Sequence, residues 1–215
     1  MWAKCTMAVC LLAGVAAVAM AADVDDTGFT PLFNGKDLTG WTGDTKGYLA
    51  ENGNLVCKPG GFLYSEKDYG DFVFRFEFKL TPGANNGLGI RATMPGNPAY
   101  DGMELQILDD TSEQYATLQP WQYHASIYGV VPVKKGHLKP VGEWNYEEVI
   151  ADGSHIAVNL NGTTVIDADI NEASKDGTVD GKEHPGLKNA SGKIAFCGHG
   201  SVVEFKNLRI KELKK

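Results

Sequence analysis

Alternation of apolar and polar positions with a period of two dominates this chain. Successive side chains of a β-strand point to opposite faces, so such alternation predicts strands with one face in a core. The clearest run covers residues 72–80, where the apolar positions are Phe72, Phe74, Phe76, Phe78 and Leu80 and the intervening ones are Val73, Arg75, Glu77 and Lys79. We therefore predict a half-buried strand over 72–80.

Shorter alternations recur around residues 88–92, 103–107, 144–146, 156–160 and 202–213, bounded by Gly, Pro, Asn or Asp. Asn52-Gly53 and Asn161-Gly162 lie between apolar runs and predict hairpins, because Asn and Gly tolerate the positive φ of type I′ turns. Residues 112–115 and 171–175 look helical but are too short for more than single turns, and the polar segment 181–191 is expected to be irregular. The pattern predicts an all-β sandwich or barrel of roughly a dozen strands, one open face of which is a candidate ligand groove.

The first 21 residues are typical of an export signal. Lys4 precedes an apolar run at residues 8–20 that is too short to remain in a membrane. Ala19-Met20-Ala21 has the small-x-small pattern of a cleavage site, and acidic residues follow it. We predict cleavage after Ala21, one domain over residues 22–215, and a periplasmic or secreted location.

Composition and charge narrow the partners. The sequence has 215 residues, 27 acidic and 20 basic side chains, and a net charge of −7. It offers no broad basic surface for phosphates, which argues against nucleic acid and anionic membranes as partners. No apolar stretch after the signal reaches membrane length, so neutral ligands are the expected partners.

Two cysteines remain after removal of the signal. Cys57 and Cys197 could form a disulfide in an oxidising compartment, or both could be small buried apolar residues. The sequence leaves these two alternatives open.

Polar residues with directional chemistry interrupt two of the predicted strands. Glu104 and Gln106 alternate with apolar neighbours and so share one face, and Arg91 lies between Ile90 and Ala92. Asp109 joins that face only if a bulge adds a residue. A functional cluster is one interpretation, and a cross-strand Arg91–Glu104 ion pair that only fixes register is the other.

His199 lies between two glycines before the last strand, and His is suited to proton transfer near neutral pH. The other four histidines show no metal-ligand spacing. P-loop, dinucleotide, Gly-x-Ser-x-Gly and Cys-x-x-Cys motifs are absent from the sequence. Trp121, Tyr123 and Tyr128 lie in a loop-rich region, where they could stack on sugar rings or cover an apolar edge.

With these residues assembled, the sequence resembles the 3-keto-disaccharide hydrolase family of exported bacterial proteins. The paired landmarks are Phe33-Asn34-Gly35 with Gly40-Trp41, Gly142-Glu143-Trp144-Asn145, and Phe205-x-Asn207-x-Arg209-Ile210. The likeness covers nearly the whole mature chain and includes the stretches NNGLGIRAT (85–93), YDGMELQILDD (100–110), SIYGVVPV (126–133), LNGTTVID (160–167), EHPGL (183–187) and SGKIAFCGHGSVVEFKNLRIKEL (191–213).

The resemblance implies a concanavalin-like jelly roll of two antiparallel sheets that cleaves glycosides oxidised to a ketone at C3. Elimination after abstraction of the C2 proton, followed by hydration, requires a base, an acid and donors to the developing oxyanion. As a hypothesis, Glu104 and His199 are the base and acid in either order, and Arg91 and Gln106 hold the keto-enolate oxygens. The secondary candidates for orienting or binding the sugar are Asp109, Tyr128, Glu143 and Trp121.

No cofactor is predicted with certainty, and the spacing leaves open a divalent metal in place of Arg91 as electrophile. One rival function is a conventional jelly-roll glycoside hydrolase, because Glu104-x-Gln106-x-x-Asp109 is similar to the Glu-x-Asp-x-x-Glu strand of laminarinase-like enzymes. The other rival is a non-catalytic carbohydrate-binding module.

Overall fold

The computed structural model describes residues 25–214, which form two antiparallel sheets packed face to face. The predicted signal and its cleavage site lie outside the described residues and remain predictions. In the described range, no helix is long and apolar enough to cross a membrane.

The larger sheet has eight strands in the order β11-β10-β9-β6-β13-β4-β3, with β1 also paired to β13. Its strands are β1 Thr30–Pro31, β3 Tyr48–Glu51, β4 Asn54–Cys57, β6 Phe72–Leu80, β9 Trp144–Asp152, β10 His155–Leu160, β11 Thr163–Asp169 and β13 Val203–Glu212.

The smaller sheet has five strands in the order β2-β5-β12-β7-β8. Its strands are β2 Trp41–Gly43, β5 Phe62–Tyr69, β7 Asn85–Ala92, β8 Met103–Leu108 and β12 Gly192–Cys197. Within residues 25–214, helical structure is limited to α1 Pro98–Asp101, α2 Ile170–Ser174 and 3-10 turns at Glu113–Tyr115, Pro120–Gln122 and Pro185–Lys188. The all-β prediction is confirmed, and the segment expected to be irregular contains one of these turns.

The core lies between the sheets and is built around the phenylalanines of β6. Phe76 is fully buried, and its ring centroid lies 5.2 Å from that of Phe74 and 5.9 Å from that of Phe78. Phe196 and Phe205 approach the same ring from β12 and β13, each at 6.4 Å. The predicted alternation over 72–80 thus places one aromatic row against both sheets.

Both predicted hairpins are present. Asn52 and Gly53 have φ values of 51° and 82° between β3 and β4, and Asn161 and Gly162 have 51° and 85° between β10 and β11. Positive φ at both central residues is the requirement of a type I′ turn.

In strand β9, the face that carries the aromatic residues Trp144 and Tyr146 is not the buried one, although the alternation of the sequence predicted it to be. Asn145 and Glu147 face inward and are buried, whereas Trp144 and Tyr146 are only partly buried. Loop residues supply the inward groups with partners, since His124 Nε2 lies 3.1 Å from Glu147 Oε2. Lysine side chains, with Lys206 Nζ at 4.1 Å from the ring centroid, cover Trp144 on the outer face.

Cys57 and Cys197 are both buried free thiols in this structure. Burial raises the pKa of the Cys57 thiol above 9.0, and it raises that of Cys197 well above this value. Of the two alternatives left open by the sequence, the structure therefore agrees with two small buried residues and not with a disulfide.

Phe76→Ala should lower the free energy of unfolding by about 3–5 kcal/mol, because truncation leaves a cavity among four other phenylalanines. Urea denaturation followed by circular dichroism measures the change. Lys46→Ala, at an exposed position, is the control and should stay within about 0.5 kcal/mol of wild type. A Phe76→Ala loss as small as the control's would contradict the central place of this ring.

Candidate active site

A cavity of about 200 Å³ lies on the outer face of the five-stranded sheet. Four of the predicted site residues line it, namely Glu104, Gln106, Tyr128 and His199. The other lining residues are Phe62, Asn85, Asn97, Ala99 and Tyr100. Larger cavities elsewhere, of about 290, 350 and 520 Å³, have no histidine among their lining residues.

Strand β8 places Glu104 and Gln106 on this face. Its alternate residues Met103, Leu105 and Ile107 are buried in the core between the sheets. The residues between them must then point to the opposite surface. The prediction that Glu104 and Gln106 share a face is confirmed.

A glycine of the neighbouring strand β7, Gly87, makes room for the Glu104 carboxylate. Gly89 pairs with Glu104 in the register, and Gly87 pairs with Gln106. A Cβ atom added to Gly87 would lie 1.9 Å from Glu104 Oε1, which is far inside a van der Waals contact. The Glu104 carboxylate therefore lies directly on the backbone of β7.

The Glu104 carboxylate is buried and incompletely paired. Its residue is 5% exposed, and Oε1 has no hydrogen-bond partner among the described residues. His199 Nε2 lies 3.7 Å from Oε1, beyond ordinary hydrogen-bond length. A buried oxygen without a partner is costly, so its retention at the cavity indicates a site for a ligand or a proton.

The glycines around His199 shape the backbone turn that carries the imidazole. Gly198 donates its N–H to Gly61 O at 3.0 Å, and a Cβ at Gly198 would meet Gly60 O at 2.3 Å. Gly200 has a φ of 85°. The turn thus packs closely against the Gly60-Gly61 backbone, while the His199 side chain stays 42% exposed.

Two further cavity residues are connected to β8 by hydrogen bonds. Gln106 Nε2 donates to Asn85 Oδ1 at 3.0 Å, which leaves the second N–H of the Gln106 amide for another acceptor. Tyr128 N–H donates to Glu104 O at 2.8 Å. Trp121 contacts the Tyr128 ring edge-on at 5.0 Å and is not itself a lining residue.

Arg91 does not line this cavity, so the structure does not bring its guanidinium together with Glu104, Gln106 and His199 as predicted from the sequence. Its φ is +48°, and β7 has one residue more than β12 between paired positions, which turns the side chain away from Glu104. The guanidinium donates to Gly70 O at 2.9 Å, Gly153 O at 2.7 Å and Asp71 Oδ1 at 3.0 Å. The alternative Arg91–Glu104 ion pair is also absent, because Asp71 is the acidic partner.

Asp109 and Glu143 also lie outside the cavity. Asp109 Oδ2 accepts the Gly83 N–H at 2.8 Å and Oδ1 accepts the Thr111 hydroxyl at 2.5 Å, so this buried carboxylate joins the turn between β6 and β7 to the loop after β8. Glu143 is exposed in the turn before β9. A bulge that would bring Asp109 to the face of Glu104 is not formed, since Leu108 still pairs regularly with Asn85.

The residues that the sequence did not single out come from loops and a neighbouring strand. Asn97, Ala99 and Tyr100 belong to the connection between β7 and β8, where α1 folds over the cavity. Phe62 lies on the outward face of β5. The sequence offers one indication of two of these residues: Asn85 and Tyr100 lie inside the stretches that resemble the 3-keto-disaccharide hydrolase family.

No group of three or more His, Cys, Asp or Glu side chains within residues 25–214 is arranged to hold a metal ion. The donors of this kind that line the cavity are Glu104 and His199. This donor set fits proton transfer between a carboxylate and an imidazole better than cation binding.

Arg91→Lys should lower the free energy of unfolding by about 1–3 kcal/mol, because lysine cannot reproduce three hydrogen bonds from one planar group. Denaturant titration measures this loss. Lys67→Gln is the control, since it removes the surface ion pair with Glu212, in which both side chains are more than half exposed, and it should cost less than about 1 kcal/mol. Equal losses would contradict a structural role for Arg91.

Comparison with known proteins gives a family match over residues 28–211, to the 3-keto-alpha-glucoside-1,2-lyase-like domain. A 3-keto-disaccharide hydrolase from Bacteroides thetaiotaomicron is 26% identical over 232 residues, covering 88% of this chain and 80% of the relative.

Two crystal structures of proteins from Parabacteroides distasonis, provisionally described as glycosyl hydrolases, share the fold with a TM-score of 0.77 each. Their sequences are 27% and 28% identical to this chain. The aligned regions cover 86% and 87% of this chain, and 99% and 95% of the two crystallised chains. Since the family match extends over most of the described residues, this protein belongs to the 3-keto-alpha-glucoside-1,2-lyase-like domain family.

Proposed function

We propose that this protein cleaves the glycosidic bond of 3-keto-glycosides in the cavity that contains Glu104 and His199. The observation that carries the proposal is a buried carboxylate oxygen without a partner, 3.7 Å from an imidazole nitrogen, in a cavity of about 200 Å³. Family membership and the name of the Bacteroides relative support this substrate class.

The chemistry starts from the ketone at C3. The carbonyl acidifies the C2–H bond, so a base can take that proton while negative charge moves onto the C3 oxygen. Collapse of the enolate expels the C1 substituent and leaves a C1=C2 double bond. Addition of water across this double bond, with hydroxyl at C1 and hydrogen at C2, completes the hydrolysis.

Glu104 is the base in this scheme. Its Oε1 accepts no hydrogen bond from the described residues, so hydrogen bonding at this oxygen does not weaken the basicity of the carboxylate toward the C2 proton. The Glu104 carboxylate lies against the backbone of Gly87, at the floor of the cavity. It can lie there because Gly87 has no side chain. A fixed base at the floor can reach only one edge of a bound ring, which favours abstraction at a single carbon.

His199 is the acid that protonates the leaving oxygen. Its side chain is 42% exposed, so water can restore its proton after each turnover. The 3.7 Å separation from Glu104 suits two groups that act on the adjacent atoms C1 and C2. The second N–H of the Gln106 amide, on the same face of β8 as Glu104, is the donor to the developing oxyanion in this scheme.

The size of the cavity favours a single sugar ring. Pockets for drug-sized ligands measure roughly 300–1,000 Å³, so a cavity of about 200 Å³ holds one ring and leaves the aglycone outside. Phe62, Tyr100 and Tyr128 line the cavity and offer apolar surfaces to that ring.

The conventional glycoside hydrolase mechanism is disfavoured by the lining residues. Inverting and retaining enzymes use two carboxyl groups about the scissile bond. Glu104 is the acidic residue among those that line this cavity, and Asp109 is committed to loop hydrogen bonds. A ketone that acidifies the substrate removes the need for the second carboxylate.

Wild-type protein should convert a 3-keto-glucoside and leave the matching unoxidised glucoside intact, because only the ketone acidifies C2. Glu104→Gln should lower kcat/KM by about 10²–10⁴-fold and His199→Ala by about 10²-fold, as expected for loss of general base and acid. Product release is followed by chromatography. Turnover of both substrates would favour a conventional glycosidase, and binding without turnover would favour a carbohydrate-binding module.

Gly87→Ala should lower kcat/KM by about 10²-fold, because the new methyl group must displace the Glu104 carboxylate by more than 1 Å. The matched control is Gly162→Ala, at a hairpin with φ of +85° and open space around the added Cβ. That control is strained and should lose stability without losing kcat/KM. Full activity in folded Gly87→Ala would contradict the placement of the base.

A further inference from the structure

Residues 178–189 form a segment outside both sheets, which we call the strap. It includes the 3-10 turn Pro185–Lys188 and lies against the connection that carries Tyr100 and the loop that carries Tyr128. Both of those tyrosines line the active-site cavity, whereas the strap residues do not.

A buried pair, Asp180 and His184, lies at the centre of the strap. Each side chain is 1% exposed, and His184 Nε2 lies 3.2 Å from both carboxylate oxygens of Asp180. Burial acts to raise the pKa of Asp180, but hydrogen bonds from the Lys182 amide, the His184 ring and the Thr178 hydroxyl outweigh it and hold the pKa below 3.8. The carboxylate is therefore an acceptor only.

The other ring nitrogen of His184 contacts the connection between β7 and β8, whose residues Ala99 and Tyr100 form the first of two cavity walls. Nδ1 lies 3.0 Å from the carbonyl oxygen of Ala99, which can only accept, so the ring donates from both nitrogens. The His184 and Tyr100 ring centroids are 4.8 Å apart. Lys182 Nζ also lies 2.9 Å from the Tyr100 hydroxyl oxygen.

Asp180 and His184 also pack against the second wall, which is the loop that carries Tyr128. A Cβ at Gly129, the residue after Tyr128, would lie 2.6 Å from Asp180 Oδ2 and 2.8 Å from His184 Nε2. Gly129 has a φ of +74°, and its carbonyl oxygen accepts the Asp180 N–H at 3.3 Å. The backbone beside Tyr128 therefore rests directly on the ion pair.

We infer that Asp180 and His184 are positioning residues that set substrate affinity, because one ion pair holds the walls carrying Tyr100 and Tyr128 on either side of the cavity. Glu104 and His199 come from β8 and from the turn after β12, so the strap acts on ring binding and leaves proton transfer in place. The kinetic part of this inference rests on the proposed function.

His184→Gln should raise KM for the 3-keto-glucoside by about tenfold while kcat changes by less than about threefold. Asp180→Asn should act in the same direction, and the double variant should be no worse than the more affected single one, because both changes remove one interaction. An unchanged KM in folded His184→Gln would overturn the inference.

His124→Gln is the matched control. His124 and Glu147 form another buried His–carboxylate pair, 1% and 0% exposed and 3.1 Å apart, but this pair lies in the core. Both histidine variants should lose stability, and only His184→Gln should raise KM. An equal rise in KM for the control would show a general effect of destabilisation and overturn the inference.

Hydrogen exchange tests the strap without substrate. Amides at 97–101 and 127–131 should exchange faster in His184→Gln than in wild type and His124→Gln. Unchanged exchange at these amides would overturn the inference about the strap, even if the protein cleaves 3-keto-glucosides. Faster exchange in a protein that does not cleave them would count only against the proposed function.

If His184→Gln does not fold, Lys182→Ala tests how the strap holds Tyr100, since it removes the contacts of an exposed strap side chain with the hydroxyl and the ring of Tyr100. A smaller rise in KM, of about twofold to fourfold, is expected for this milder change. No rise in KM would overturn the inference.

Discussion

The burial of Met103, Leu105 and Ile107 is the constraint on which the candidate site depends. These side chains are fixed in the core between the sheets, so the residues between them are forced onto the outer surface of β8. A slip of one residue in the β7–β8 register would exchange the faces and place a carboxylate in the core. The free energy of core packing thus also determines where the chemistry is placed.

The site combines tight support with one unsatisfied group. Gly87 lets the backbone of β7 approach the Glu104 carboxylate more closely than any side chain would permit, and Gly198 lets the turn that carries His199 pack on the Gly60 carbonyl. Against this rigid background, Glu104 Oε1 stays without a hydrogen-bond partner among the described residues. A protein retains such a costly group where the cost is offset by function, which is consistent with the role proposed for Glu104.

Two buried histidine–carboxylate pairs illustrate how similar chemistry serves different parts of the molecule. His124 and Glu147 join a loop to the inward face of β9, and the Leu108 N–H donates to His124 Nδ1 at a nitrogen–nitrogen distance of 3.3 Å. His184 and Asp180 instead lie under two cavity walls. The contrast comes from surroundings and not from residue type, because each pair is equally shielded from water.

The sequence by itself determined the elements that depend on local periodicity. Alternation over 72–80 predicted β6, Asn-Gly pairs predicted both hairpins, and the pattern around 103–107 put Glu104 and Gln106 on one face. These features depend on residues that are close in the chain, since strand geometry and turn conformation are set over a few residues.

Only the tertiary structure decided which distant groups meet. The bulge that turns Arg91 toward Asp71, the inward position of Glu147 and the approach of Tyr100 to the cavity all require partners many residues away. A period of two shows that a strand has two faces, but the choice of the buried face depends on what the rest of the fold packs against it.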